Sequence, residues 1–395
     1  MKKVAVIGGG ASGMSAAIHA KREDPDAEVT IYEHGDALGR KLLITGNGKC
    51  NLTNAGISQE CYHSRTDNGI ISHILSRFGT GKLLDFFDGL GADLKERKGC
   101  YYPRTDTAST IRNCLVLTIK EMGIGIRLEC GRTSLEELCS DHDAVILCMG
   151  GKTSPKTGSD GSGYALLQSL GLSMVPLFPA LTPIETEEDL SALKGVRCEA
   201  GLSLLVDGEI RAVSKGELQP FDRGLSGILA MDISGEAARQ KSAGKNVQVL
   251  CDFAPFYPEE EFRAAIAKKQ KQNPARGISD VLSGMLHRKL VHYLLHDLDS
   301  REPDFMEKFT DTIKRHPFTV SGRMIQDYSR AQTVSGGLDL REVTKELEIK
   351  KLPGVYVCGE LLDCDGICGG YNLHWAFATG AIAGKASVSR RKGEG

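Results

Sequence analysis

The chain opens on Lys3-Val4-Ala5-Val6-Ile7, a short run that is apolar and largely β-branched, as expected of a parallel strand buried on both faces. Gly8-Gly9-Gly10 breaks the run, and Ala11 to Lys21 continues as a helix that packs through small residues. Glu28 to Glu33, with Val29, Ile31 and Tyr32, predicts a second strand, which completes a βαβ unit of about thirty residues. Helical periodicity covers 71–90 and 108–122, with Ile71, Ile74, Leu75 and Phe78 on one face. Ile124 to Leu128 reads as a strand, Ala144 to Cys148 as a fully buried strand ending at Met149-Gly150-Gly151, and Tyr164 to Leu170 as a short helix.

The pattern changes near Leu181. Residues 185–250 carry short alternating runs such as Leu202-Ser203-Leu204 and Val247-Gln248-Val249, which predict an antiparallel β unit. Residues 258–316 are charged and helical; Leu282, Met285, Leu286 and Leu290 form a stripe that reads as core. Gly354 to Gly359 predicts another buried strand, and Trp375 to Ser387 a helix rich in Ala and Gly.

Composition narrows the function classes. Apolar residues are 41% and charged residues 25% of 395, a globular balance. A net charge of −2 with only 6% aromatics gives no global field for nucleic acid or an anionic membrane and no stacking platform. The apolar run after Lys2-Lys3 stops at Gly8 and no stretch is long enough to span a bilayer, so the expectation is a cytoplasmic protein without nucleic-acid or membrane partners. Twelve cysteines are scattered without a Cys-x-x-Cys or Cys-x4-Cys pair; free thiols are expected, with no metal site.

Two motifs carry chemistry. In Gly8-x-Gly10-x-x-Gly13, the first glycine permits the tight turn, the second a close approach to a pyrophosphate, and the third helix–strand packing. Ala11 and Ser12 open the helix, whose N-terminus favours an anion. Glu33 follows twenty residues later and can accept hydrogen bonds from ribose hydroxyls. The segment from Gly39-Arg40-Lys41 through Thr45-Gly46-Asn47 to Cys50-Asn51 and Asn54 places two cations before a Gly- and Asn-rich loop. Such cations can neutralise phosphates, and such a loop offers amides to a flat polar ring. Near the end, Gly359-Glu360 closes a strand, Asp365 lies in the turn, and Gly370-Tyr371-Asn372-Leu373 opens a helix, whose dipole can stabilise an anionic reduced flavin.

The segments 39–54 and 359–376, with 150–159 from Gly150 and 331–337, resemble the aminoacetone-oxidase-like family of FAD-binding proteins. That resemblance implies an α/β fold: a Rossmann-like, glutathione-reductase-type FAD-binding domain split by an inserted β-rich domain and a small helical domain. The expected boundaries are 1–184 and 331–395 for the FAD domain, 185–250 and 317–330 for the β-rich domain, and 251–316 for the helical one. It implies that Glu33 holds the adenosine ribose, while Arg40, Lys41, Thr45 to Asn47, Glu360, Asp365 and Gly370 to Leu373 surround the FAD. The chain departs from the family pattern at Thr45, Lys49, His374 and Asp222, where the usual residues are Ser, Arg, Gln and, in many members, His. No catalytic residue is assigned. His374, Cys50 and the pair Asp222-Arg223 read most simply as packed histidine, packed thiol and turn; Tyr101, Tyr102 and Arg104 read equally as site lining and as a surface strand end.

No second Gly-x-Gly-x-x-Gly follows a strand, so NADH or NADPH would dock only transiently as electron donor. The expected activity is an FAD-dependent reductase that passes hydride to an activated C=C or C=O of a small apolar substrate. Some proteins of this resemblance group look like bile-acid dehydro-reductases. The alternative is an oxygen-dependent oxidase of small amines. A flavin-containing RNA-binding protein is a third reading, opposed by the neutral charge.

Overall fold

A computed structural model describes residues 1–389, apart from 68, 132, 133, 297 and 299–303. It divides into two compact units, Met1–Leu177 with Thr333–Gly395, and Phe178–Gln332.

The first unit is built on a five-stranded parallel sheet in the order Val355–Val357, Ala144–Leu147, Lys3–Ile7, Glu28–Tyr32, Gly125–Arg127. Its central strands are the runs that are apolar without alternation; Val4, Ala5 and Val6 are fully buried, as are Ala144 to Leu147. A parallel sheet covered on both faces requires that pattern. The strand beside Ala144–Leu147 is contributed by residues more than 200 positions away in sequence, so this unit is closed only when both ends of the chain are present.

Two helices make that closure. The N-terminal helix, Ala11–Glu23, runs beside the C-terminal helix, Tyr371–Ser389. A Cβ on Gly380 would stand 2.3 Å from the Ser12 carbonyl oxygen, and one on Gly384 would stand 2.2 Å from that of Ala16. The helices therefore touch backbone to backbone at i and i+4 on each, running in the same direction. Ser15 Oγ donates to the Phe377 carbonyl at 2.7 Å, which satisfies a buried hydroxyl across the same seam.

The second unit carries a six-stranded antiparallel sheet, ordered Ile184–Glu185, Gly224–Ser226, Glu209–Phe221, Cys198–Val206, Val247–Asp252, His316–Thr319. The strand-rich and helical stretches that the sequence separates at 250/251 share one core: Leu202, Leu204 and Val249 from strands lie in the same buried cluster as Phe262, Leu290 and Phe309 from helices. One element departs from the expected β pattern: Ile228–Ser242 is a helix. Its buried face is Ala230, Ser234, Gly235, Ala237 and Ala238, with only Leu229 and Ile233 large, so it shows little contrast between faces to a reading of hydrophobicity.

The end-to-end helix contact yields a test. Gly384→Val should destabilise the protein by roughly 1–3 kcal/mol, the usual cost of overpacking, or prevent folding. Gly81 lies in helix Thr80–Asp88 with nothing in the path of a Cβ, so Gly81→Ala should be neutral to stabilising, within about 1 kcal/mol. Urea unfolding of both variants decides it; equal stabilities would mean the two helices do not meet through these glycines.

Candidate functional site

Each glycine of the fingerprint does a different physical task. Gly8 has φ +103°, and a Cβ there would meet the Cys148 carbonyl oxygen at 2.4 Å. Gly13 packs onto Gly8 so closely that a Cβ would lie 1.9 Å from its carbonyl oxygen. Gly10 is the opposite case: nothing lies within 4 Å of where its Cβ would be. No packing reason for glycine exists at that position, which leaves the approach of something outside the chain. Gly10 also caps the helix without a side-chain hydrogen bond, and the first turn holds no acidic residue. Free N–H groups, a positive dipole end and open space are what a pyrophosphate needs.

Glu33 is buried at the end of its strand and accepts the Gly9 N–H at Oε2 and the Gly35 N–H at Oε1, both at 2.7 Å. It fixes the loop on either side of the fingerprint; Oε1 also lies 3.3 Å from His34 Nδ1, and a carboxylate oxygen can accept more than one hydrogen bond.

The cationic pair after Gly39 has partners within the protein. Lys41 is an ion-pair partner: its Nζ lies 2.7 Å from Glu360 Oε2 and 3.1 Å from Thr153 Oγ1. Lys41 thereby ties the 39–54 segment to the 359–376 segment, and its charge has a carboxylate partner within the protein. Arg40 donates to the Lys156 carbonyl at 2.7 Å and lies 3.4 Å from Asp36. Glu360 Oε1 in turn accepts from Thr333 Oγ1 at 3.1 Å and the Val334 N–H at 3.2 Å, and Gly151 is glycine because a Cβ would strike its carboxylate at 2.4 Å. All four motif segments thus converge on one carboxylate, which spacing along the chain does not reveal.

The loop 41–48 is irregular: Gly46 and Asn47 have φ of +56° and +54°, and Cys50 has +58°. Thr45 Oγ1 donates to the Leu42 carbonyl at 2.7 Å. Burial pushes the Cys50 thiol up to about 12, so it is an inert packed thiol. Asn51 Oδ1 is buried without a hydrogen-bond partner, a cost that a bound donor would remove.

At the C-terminal motif, Gly150 and Gly359 have φ of +70° and +73°; a Cβ on Gly359 would meet Ser12 Oγ at 2.8 Å. Gly370 is left-handed at φ +96°, but the direction of its Cβ is filled by Asn51 Oδ1 at 2.7 Å and the Thr53 backbone at 2.9 Å. Its glycine is therefore explained by the close approach of the 51–53 loop. Asn372 clasps Gly366, donating to its carbonyl at 2.8 Å and accepting its N–H at 2.9 Å. The Tyr371 carbonyl accepts from Tyr62 Oη at 3.0 Å, and Leu373 is partly exposed. Asp365 is buried beside His63, with Oδ2 3.4 Å from Nδ1; the sequence reading missed this pair, whose members lie 302 residues apart.

His374 is fully buried, with Nδ1 at 2.8 Å from Thr53 Oγ1 and Nε2 at 2.8 Å from the Phe78 carbonyl. Both nitrogens are engaged, and burial lowers its pKa to about 4. It is a packed neutral histidine. Tyr102 sits under Arg97, 4.9 Å from its guanidinium to the ring centroid, and Arg104 pairs with Asp93 on the surface. Asp222 is an exposed neighbour of Lys194 at 3.6 Å. No described helix is long and apolar enough to cross a membrane.

This arrangement sits in a chain whose residues 2–386 match the family described as the HI0933-like protein Rossmann domain. The chain belongs to that family. All four motif segments lie within the matched span. Among curated proteins, it is 36% identical to the 3-dehydro-bile acid delta(4,6)-reductase of Clostridium scindens, over 99% of this chain and 100% of that one. It is 25% identical to the ribosomal RNA dihydrouridine synthase of Haemophilus influenzae over 98% of each, and 24% identical to that of Escherichia coli over 95% of each. Two relatives of this family member thus carry a nucleic acid in their names, so a net charge of −2 is no ground for excluding one.

Two tests follow from the geometry. Gly10→Ala should leave the unfolding curve of the apo-protein unchanged, yet weaken FAD binding by tenfold or more, a loss of at least ~1.4 kcal/mol; titrating apo-protein with FAD measures it, and full affinity would move the pyrophosphate elsewhere. His374 has its folded pKa lowered from 6.5 to about 4, so the unfolded chain binds more protons between those values and stability falls as pH drops through that window. His19 is likewise lowered, to about 3, by burial. His316 is lowered by burial as well, so His374→Gln should remove a part, not the whole, of the acid slope of stability between pH 6.5 and 4; an unchanged slope in pH-dependent denaturation would show that His374 is not buried neutral.

Proposed function

We propose that this FAD-dependent oxidoreductase is a reductase that takes hydride from NADH or NADPH and delivers it to a C=C bond conjugated to a carbonyl in a small apolar substrate. The reading rests on the placement of two helix N-termini in one unit. Ser12 and Gly380 are level at the helix seam, and Tyr371 begins nine residues before Gly380. At 1.5 Å per residue, the C-terminal helix extends ~13 Å beyond the fingerprint. A dinucleotide is long and has a phosphate middle and a flat reactive end, so one helix start suits each part.

Gly10, Ala11, Ser12 and Gly13 would hold the pyrophosphate, and Glu33 the adenosine ribose. Gly39, Arg40, Lys41, Gly150, Gly359 and Glu360 would line the middle. Thr45, Gly46, Asn47, Cys50, Asn51, Asp365 and Gly370 to Leu373 would surround the flavin. FAD, when bound, supplies two-electron hydride chemistry; the protein's task is to orient it, exclude water and place protons. The Tyr371–Leu373 N–H groups, at the positive end of the dipole, would stabilise negative charge at the pyrimidine side.

The substrate class is supported by the relatives' names. A 3-dehydro-bile acid with double bonds at positions 4 and 6 has C=C bonds conjugated to a ketone, and dihydrouridine differs from uridine by a saturated C=C beside a carbonyl. None of the three relatives is named an oxidase. Anaerobic mixing with NADH or NADPH should bleach the visible flavin band, and a 3-oxo-Δ4 steroid should restore it. Small amines alone should not bleach it. Bleaching by an amine without nicotinamide, with peroxide formed on admitting oxygen, would overturn the reductase in favour of the amine oxidase.

A further inference from the structure

NADPH differs from NADH by one phosphate monoester, on the 2′ oxygen of the adenosine ribose. A protein that prefers NADPH therefore needs cations that its own carboxylates have not already matched. Such cations stand together in the first unit, at the hairpin of Leu94–Arg97 and Cys100–Pro103. Most charges of that hairpin are matched. Lys95 pairs with Asp106 and Arg104 with Asp93, both at 2.5 Å, and Glu96 accepts the Gly99 N–H. Arg97, Lys98 and Lys49 are exposed, and among the described residues none of the three has a carboxylate at ion-pair distance. The Lys95 ammonium holds the Asp106 carboxyl below its ordinary range, and the charges of Arg97 and Lys49 act on it in the same sense. The loop before Cys50 and the hairpin thus bring their cations to one place.

Two features of geometry prepare this group for an anion. The Arg97 guanidinium lies over Tyr102, 4.9 Å from the ring centroid. An aromatic ring under the planar fork restrains it while leaving N–H donors for an oxyanion. Lys98 and Gly99 form the two-residue turn of the hairpin, both left-handed, with φ of +53° and +82°. Asn or Asp is the favoured residue at the first position of such a turn. A lysine there carries a backbone cost and sets a cation at the tip. The hairpin is also joined to the C-terminal motif: Thr53–Asn54 pairs with Tyr101 and Cys100, and Asn54 Nδ2 donates to the Gly369 carbonyl at 3.3 Å. Three unmatched cations suit one phosphate, whereas an RNA backbone is held by a longer track of them.

We infer that Lys49, Arg97 and Lys98 form the subsite for the 2′-phosphate of NADPH, which makes NADPH rather than NADH the electron donor; this rests on the reductase reading given above. Arg97 offers paired N–H donors to two phosphate oxygens, and the two lysines act as point charges. The subsite sets the affinity for the donor and leaves the rate of the bound complex unchanged.

The test uses the FAD-loaded protein. It follows anaerobic bleaching of the flavin at rising NADPH or NADH, and measures by calorimetry the binding of adenosine 2′,5′-bisphosphate and of 5′-AMP. Wild type should half-saturate at a concentration of NADPH about tenfold below that of NADH, and bind the bisphosphate more tightly than 5′-AMP by a similar factor. Arg97→Gln should raise the half-saturating NADPH concentration by about tenfold and weaken the bisphosphate, with NADH, the limiting rate and the flavin absorbance unchanged. Lys98→Asn should weaken NADPH in the same direction yet unfold at a higher urea concentration, because it relieves the turn. Equal half-saturation of wild type by the two dinucleotides overturns the subsite and leaves the reductase reading standing. So does an Arg97→Gln loss shared equally by NADH, or a Lys98→Asn protein with full NADPH affinity. Variants that lose binding to polyuridylate but none to the bisphosphate assign the cations to RNA and likewise overturn the subsite. A wild type bleached by neither dinucleotide overturns the reductase reading itself, and the subsite with it.

Discussion

The contact on which the first unit depends is the backbone approach of its two terminal helices. Ser12 and Ala16 meet Gly380 and Gly384 with no room for a single methyl group between them. The consequence is register. The Gly359 N–H reaches Thr379 Oγ1 at 2.9 Å, and Trp375 Nε1 donates to the Gly359 carbonyl at 3.2 Å, so the C-terminal helix sets the turn after the strand Val355–Val357. That turn lies against Ser12, in the first turn of the N-terminal helix. A shift of the seam by one residue would separate the fingerprint from Glu360 and carry the Tyr371 helix start away from the 51–54 loop. Because the strand order interleaves early and late residues, folding must bring chain ends together before the fingerprint is supported, a loop closure with an entropic cost that grows slowly with length.

Glu360 adds the electrostatic half of that closure. It is about one-fifth exposed, and so is Lys41, so their attraction is stronger than between solvated charges but still moderated by water. The carboxylate has no idle oxygen: one faces Lys41 and the other faces Thr333 and Val334. Removing Lys41 would leave a largely buried anion without its cationic partner. The lysine therefore offsets the Glu360 carboxylate within the protein, a partner that a charge count along the sequence does not reveal.

Legibility in the sequence followed the range of the physics. Features fixed by local backbone demands were visible: the roles of Gly8 and Gly13, the buried strands, and the left-handed turn before the last helix. Where the cause is a distant partner, the sequence does not show that cause. Gly370 is excluded from having a side chain by Asn51 and Thr53, more than 300 residues upstream, and His63 has no significance until Asp365 stands opposite it. The helix Ile228–Ser242 failed for another reason: it buries small residues, and alanine and serine give no contrast between faces. The net charge decides nothing about a nucleic-acid partner, because a sum over the chain says nothing about any one surface.

Burial also explains how a chain with twelve cysteines can surround a redox cofactor. A thiolate, not a thiol, attacks an electrophilic flavin or an enone. Burial pushes Cys50 up to about 12 and holds Cys358 and Cys364 well above the ordinary thiol range. Cys148 and Cys358 share a buried contact at 3.0 Å beneath the fingerprint. Cys50, Cys358 and Cys364 are thus held as thiols chiefly by desolvation. The same desolvation keeps His374 neutral, so the interior around the Tyr371 helix start holds no added positive charge. Stabilisation of a reduced flavin there would fall to backbone N–H groups and the helix dipole, which do not titrate and so act equally across the working pH range.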